Sequence, residues 1–281
     1  MNERLLYTPS EVAAFMEKGN VVLIDIRNPE HYIKAHIPGA VNIPEIFSCL
    51  AETTPSGLNA MHKKFQKIFS KAGVSYDKKA IVYEDRLDSQ YGGSCRGCWL
   101  LLYLGHPCPG IINGGMSAWL EHGFPVENGK VMPESACFDL NPKAFLMATK
   151  DDMLKAIYDP AIVLLDDRDE IEWKGMSSSP YGIDFAPRKG RIPGARWIEW
   201  YEFMDKNASA PLFKQKEEIR AVCAENGVYP DDDIIIYCFK GSRAANTYIA
   251  LKTAGFRKLR IYFGSWNEWS RDLSLPIEEG A

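Results

Sequence analysis

Ile234-Ile235-Ile236-Tyr237-Cys238-Phe239-Lys240-Gly241-Ser242-Arg243 is the stretch on which the reading of this chain turns. Ile234–Tyr237 is a short run of β-branched and aromatic residues, the pattern of a buried strand. Arg243–Ala254 reads as a helix that stops at Gly255, a residue suited to a helix C-terminus. The strand therefore passes through a short loop directly into a helix. In open α/β sheets ligands bind at the carboxyl ends of the strands. Such a loop turns backbone N–H groups inward, the helix start adds positive partial charge, and Lys240 and Arg243 add whole charges. Gly241 permits the tight turn. The setting favours the nucleophilic thiolate at Cys238.

The same organisation recurs along the chain. Val22-Leu23-Ile24-Asp25-Ile26-Arg27 returns as Val163-Leu164-Leu165-Asp166-Asp167-Arg168, 141 residues later. His36-Ile37-Pro38-Gly39-Ala40 returns as Arg191-Ile192-Pro193-Gly194-Ala195, offset by 155, and Ile81-Val82-Tyr83 as Ile235-Ile236-Tyr237, offset by 154. Gly114-Gly115-Met116-Ser117-Ala118-Trp119 returns loosely as Gly264-Ser265-Trp266-Asn267-Glu268-Trp269, offset by 150. Four blocks in one order mean a duplicated globular domain, since the period is too long for a solenoid. The jump from 141 to 155 gives the second half 14 extra residues, within the Ser-, Pro- and Gly-rich stretch 172–190. A long loop of that kind is often functional.

Strand-like runs at Val21–Ile24, Ala80–Tyr83, Ile162–Leu165 and Ile234–Tyr237 alternate with amphipathic runs at Ser10–Lys18, Arg96–Leu104 and Arg243–Ala254. The expected fold is α/β: two similar doubly wound domains, each a mainly parallel sheet flanked by helices. The expected boundaries are 1–128, a linker at 129–143, and 144–281. A length of 281 residues agrees with two domains at about 150 residues each.

Composition narrows the class. Apolar residues make up 46% and charged residues 25%, ordinary for a folded domain. No apolar run approaches the ~20 residues that span a bilayer, so no membrane partner is expected. The net charge of −4 weighs against nucleic acid as a partner. Seven cysteines, an odd number, with no basic-then-apolar start, point to free thiols and a cytoplasmic location. No glycine-rich phosphate motif follows an early strand, so no nucleotide cofactor is expected, and no metal. Cys95-Arg96-Gly97-Cys98 has redox-motif spacing, but the repeat places it opposite Ala245–Tyr248 on a packing helix.

In the Asp-x-Arg strand ends, the two Ile-Pro-Gly-Ala blocks, Gly114-Gly115 with Trp119, and Cys238-Phe239-Lys240-Gly241-Ser242-Arg243-Ala244, the chain resembles the two-domain rhodanese sulfurtransferases over almost its whole length. The resemblance implies that only the C-terminal domain is catalytic and that its cysteine cycles through a persulfide. Glu84 matches Cys238 in the first half, and a carboxylate cannot carry a sulfane sulfur. The resemblance also implies an active site at the domain interface, which makes Asp25 and His36 candidates to face it. Cys238, Lys240 and Arg243 are the expected catalytic residues. Phe239, Gly241, Ser242, Arg188, Arg191, Asp25 and His36 are the expected substrate contacts. The expected partners are a small anionic donor, with thiosulfate preferred, and a thiol or cyanide acceptor. Loops with basic residues after the cysteine go with thiosulfate in that family, and Cys-Gly-Ser-Gly loops with 3-mercaptopyruvate. Protein phosphatases of related fold use Cys-x5-Arg, whereas Cys238 to Arg243 is Cys-x4-Arg, sized for a sulfur atom. The alternatives are a 3-mercaptopyruvate enzyme, a phosphatase or arsenate reductase, and a binding module without catalysis.

Overall fold

A computed structural model describes residues 4–205 and 210–279 of the chain. In chain order the first elements are β1 (Leu6–Tyr7), α1 (Pro9–Glu17), β2 (Val21–Asp25), α2 (Pro29–Lys34), β3 (Val41–Asn42), α3 (Glu45–Ser48), α4 (Pro55–Lys71), β4 (Lys79–Tyr83), α5 (Gly93–Tyr103), β5 (Pro109–Ile112) and α6 (Gly115–Glu121). They are followed by β6 (Met147–Ala148), α7 (Lys150–Ala156), β7 (Ile162–Asp166), α8 (Glu170–Trp173), β8 (Arg196–Trp197), β9 (Met204–Asp205) and β10 (Leu212–Phe213). The last are α9 (Lys216–Glu225), β11 (Asp233–Tyr237), α10 (Ser242–Thr253), β12 (Lys258–Tyr262) and α11 (Ser265–Arg271).

Two five-stranded sheets have the same strand order, β1-β5-β4-β2-β3 and β6-β12-β11-β7-β8. Every recorded strand pair in both is parallel. A parallel sheet needs crossover helices, which is why apolar runs without alternation are separated by amphipathic ones. The two halves start alike: Thr8 and Thr149 each close a capping box, with Glu11 and Asp152, at the N-termini of α1 and α7. In the first half Tyr83, Ile81, Leu23, Met116 and Trp119 share one buried cluster. In the second, Tyr237, Ile235, Leu164, Trp266 and Trp269 occupy the matching places.

The chain divides into two compact units. One comprises Met1–Cys49, Asn59–Lys143 and Asp205–Phe213; the other Leu50–Leu58, Ala144–Met204 and Lys214–Ala281. The stretch expected as a linker, 129–143, packs with the first unit. There Val131 N–H donates to the Tyr32 hydroxyl (3.1 Å) and Phe138 is buried against Phe69. Two short segments also belong to the unit of the opposite half. Thr53 gives its N–H and its hydroxyl to the buried Glu268 carboxylate, each at 2.7 Å, and Phe213 N–H donates to Asn113 (3.2 Å). Such pairings join residues far apart in sequence and leave no periodic signal. The segment expected as a loop from Glu172 begins later, because Glu172 closes the single turn of α8.

Candidate active site

The site is built at the end of β11. The strand end is held by a pattern that both units repeat. Asp166 binds Arg168 through two side-chain nitrogens (2.6 and 3.0 Å) and accepts its backbone N–H (3.0 Å), as Asp25 does for Arg27. The hydroxyls of Tyr237 and Tyr83 accept N–H groups from Ile192 and Ile37, both at 3.1 Å. Trp266 and Asn267 donate to the carbonyls of Cys238 and Phe239, just as Met116 and Ser117 donate to those of Glu84 and Asp85. Glu84 is thus the structural counterpart of Cys238.

At this shared position the two units diverge. In the second, residues 239–241 carry the chain from Cys238 to the start of α10. Gly241 sits at φ 90°, and its N–H donates to Cys238 Sγ at 3.0 Å. A β-carbon there would meet the Phe263 ring at 2.8 Å, so glycine is required on both counts. The sulfur lies under the N-terminus of a 12-residue helix, where peptide dipoles favour negative charge. Cys238 is 1% exposed, and Lys240 beside it 7%. Cys238 N–H donates to Ser265 Oγ (3.3 Å), whose own hydroxyl donates to Tyr262 O (2.8 Å). Ser265 adopts φ 53°, a left-handed conformation that Gly115 holds without penalty in the first unit. The non-glycine residue in a Gly-Gly slot was the available sequence signal for this contact.

In the first unit residues 85–92 make a longer loop, and the Glu84 carboxylate lies where an anion would sit. It accepts from Ser94 N–H (2.8 Å), Ser94 Oγ (2.7 Å), Gln90 N–H (2.9 Å) and Ser89 Oγ (3.3 Å). Full burial nevertheless pushes this carboxyl up to about 7.

One expected catalytic residue, Arg243, and several expected substrate contacts have other work in the structure. Arg243 is buried and locked by Glu172 (2.5 and 3.1 Å) and Asp169 (2.8 Å), which hold its guanidinium well above the usual arginine range. Its charge is neutralised there, so it braces the loop and α10 and is not presented as a free cation to an anion. Next to this cluster, Asp167 is fully buried. Burial pushes its carboxyl well above the usual range and favours the protonated form.

Arg188 is not set up to bind an anion. Its guanidinium donates to the carbonyls of Trp269, Ser270, Asp272 and Leu275 at 2.6–2.9 Å and closes the C-terminal end of α11. Arg191 pairs with Glu278 (3.1 Å) and lies 4.4 Å from the Trp173 ring centroid. His36 and Asp25 belong to the first unit and are fully buried. His36 is held between Tyr32 O (2.8 Å) and Glu127 (3.2 Å) and stacks on Tyr32, while Asp25 is spent on Arg27. The structure therefore gathers Cys238, Phe239, Lys240 and Gly241 in one loop, with Ser242 as the first residue of α10, and gives Arg188, Arg191, Asp25 and His36 structural partners. Sequence reasoning did not find Glu172, Asp169 or Tyr181, whose ring lies on the loop; no spacing signalled them.

Comparison with known proteins agrees with this geometry. The rhodanese-like domain matches twice, at residues 8–122 and 149–272. The thiosulfate sulfurtransferase of Azotobacter vinelandii is 26% identical over 98% of this chain and 97% of its own length. The 3-mercaptopyruvate sulfurtransferase of Escherichia coli is 29% identical over 89% of this chain and 85% of its own. The structure of the anaerobic ergothioneine biosynthesis enzyme from Chlorobium limicola superposes with a TM-score of 0.82 over all of this chain and 71% of that one, at 21% identity, a likeness of fold. Among the described residues no helix is long and apolar enough to cross a membrane. With the duplicated sheets, the cysteine loop on only the second of them and two matches that span most of the sequence, the chain belongs to the rhodanese-like domain family.

Proposed function

We propose that this chain is a sulfurtransferase that carries a sulfane sulfur on Cys238, with thiosulfate as the preferred donor. The observation that carries the reading is the Cys238 sulfur at the start of α10, accepting the Gly241 N–H at 3.0 Å. In the first half-reaction the Cys238 thiolate attacks the outer sulfur of thiosulfate. A Cys–S bond to that sulfur forms, the S–S bond of the donor breaks, and its electron pair leaves with sulfite. The enzyme keeps the charge as a persulfide, Cys238–S–S⁻. In the second, cyanide or a thiolate attacks the terminal sulfur and the electron pair returns to Cys238. The kinetics are ping-pong. The helix start and the Gly241 N–H stabilise the negative sulfur, and Lys240 stabilises the charge that builds on the departing sulfite.

The relatives' names divide between thiosulfate and 3-mercaptopyruvate donors. Lys240 is what favours thiosulfate here, since a dianionic donor with an anionic leaving group benefits more from fixed charge than from a proton shuttle. A phosphatase would need its loop arginine facing the oxyanion, whereas Arg243 is neutralised by Glu172 and Asp169. The test is intact-mass analysis after thiosulfate treatment. The wild type gains about one sulfur and Cys238→Ser gains none, because only the thiolate can attack. Unchanged turnover in Cys238→Ser, or no added sulfur in the wild type, removes the reading.

A further inference from the structure

The stretch that lengthens the second half brings one aromatic side chain onto the cysteine loop. The Tyr181 ring lies 4.9 Å from the Phe239 ring at a tilt of 34°, and the Lys240 ammonium lies 4.7 Å from the Tyr181 centroid. The segment is anchored in this position. Ser179 Oγ donates to Gly182 O and accepts the Tyr181 N–H, closing a tight turn (3.1 and 3.2 Å). Asn267 joins the turn to the loop: its amide donates to Phe185 O (2.6 Å) and its backbone N–H to Phe239 O (2.9 Å). Arg271 adds a bond to Asp184 O (2.8 Å). The first half lacks these extra residues, and its loop carries Glu84 in place of the cysteine.

We propose that Tyr181 is a positioning residue for the donor half-reaction: its ring face seats the Lys240 ammonium beside Cys238 and so sets the preference for thiosulfate over 3-mercaptopyruvate. An aromatic face attracts and orients a cation through its quadrupole. Lysine has a flexible four-carbon stem, so a defined seat decides where its charge acts. Charge fixed before reaction acts on the sulfite that forms as the S–S bond lengthens. Phe239, with its ring centroid 4.9 Å from that of Tyr181, packs against the same ring and restricts its turning. This inference rests on the sulfurtransferase reading of Cys238.

The test uses the full-length protein with Tyr181→Phe and Tyr181→Leu, assayed with thiosulfate and with 3-mercaptopyruvate against cyanide. Rapid-quench mass analysis measures persulfide formation on Cys238. Tyr181→Phe keeps the ring and stays within about twofold of wild type. Tyr181→Leu lowers kcat/KM for thiosulfate about tenfold and slows persulfide formation from it, with 3-mercaptopyruvate changed by less than about twofold. Adding Tyr181→Leu to Lys240→Ser produces no further loss. Tyr181→Met carries the same test if the leucine variant does not fold. Thiosulfate activity within twofold of wild type in Tyr181→Leu overturns the proposal. So does a Phe variant as impaired as the Leu variant, equal losses for both donors, or additive losses in the double variant. If the wild type takes sulfur from neither donor, the sulfurtransferase reading itself fails, whatever Tyr181 does.

Discussion

Glu84 allows a measurement on the half of the molecule that has no cysteine at the loop. Its carboxyl is fully buried and pushed up from 4.5 to about 7 by loss of water, despite four hydrogen bonds to Ser94, Gln90 and Ser89. The folded state therefore holds the proton more tightly than the unfolded chain does. Below pH 4.5 the group is protonated in both states and has no effect on stability. Between 4.5 and 7 the unfolded chain releases its proton first, so stability falls as pH rises; above 7 it levels off. A shift of this size corresponds to about 3 kcal/mol, most of which is lost between pH 5 and pH 8. Glu84→Gln keeps the shape, cannot ionise, and removes this dependence, while every other titrating group contributes equally to both proteins. Hydrogen exchange in peptides covering β4 and α5, corrected for the intrinsic rate at each pH, reports the local opening free energy. The wild type is expected to lose about 2–3 kcal/mol more than Glu84→Gln between pH 5 and pH 8. A difference under about 0.5 kcal/mol would show that the carboxylate is fully stabilised by its hydrogen bonds, and would refute the argument from burial.

Lys240→Ser is expected to lower kcat/KM for thiosulfate by ten- to a hundredfold, while sparing or raising that for 3-mercaptopyruvate; steady-state kinetics with both donors decide. A wild type that prefers 3-mercaptopyruvate by tenfold would remove the role given to Lys240. Glu172→Gln leaves the Arg243 guanidinium short of a buried partner and should destabilise the second unit by about 3–5 kcal/mol, measured by urea denaturation, with a loss of activity; stability within 1 kcal/mol of wild type would mean that Asp169 suffices. Cys95 and Cys98 are buried on α5, away from Cys238 in sequence and on the other unit. The double alanine variant should keep most of its sulfurtransferase activity with lower stability, and a hundredfold loss in kcat at unchanged stability would reveal a relay thiol.

The amino-acid order alone was enough for the architecture and for the place of Cys238 between a strand end and a helix start. Strands such as Ile234–Tyr237 and helices such as α10 arise from local patterns, and the structure moves the bounds of these two by no more than one residue. Duplication repeated each pattern in register, so weak blocks became decisive together. Cys238 was legible because its setting is also local: strand end, Gly241 and helix start are consecutive residues. Tertiary structure decided everything that depends on a partner far away in sequence. Arg243 reads as a loop cation, yet it meets Glu172, 71 positions earlier, and becomes a brace. Arg188 reads as a substrate ligand, yet four carbonyls around the end of α11 take its N–H groups. Tyr181 carries no motif at all, and only the turn that folds it over Phe239 and Lys240 gives it a place on the cysteine loop. A charged or aromatic side chain announces what it can do, but whether its charge is free or spent depends on which distant groups the packed chain brings within 3 or 4 Å of it.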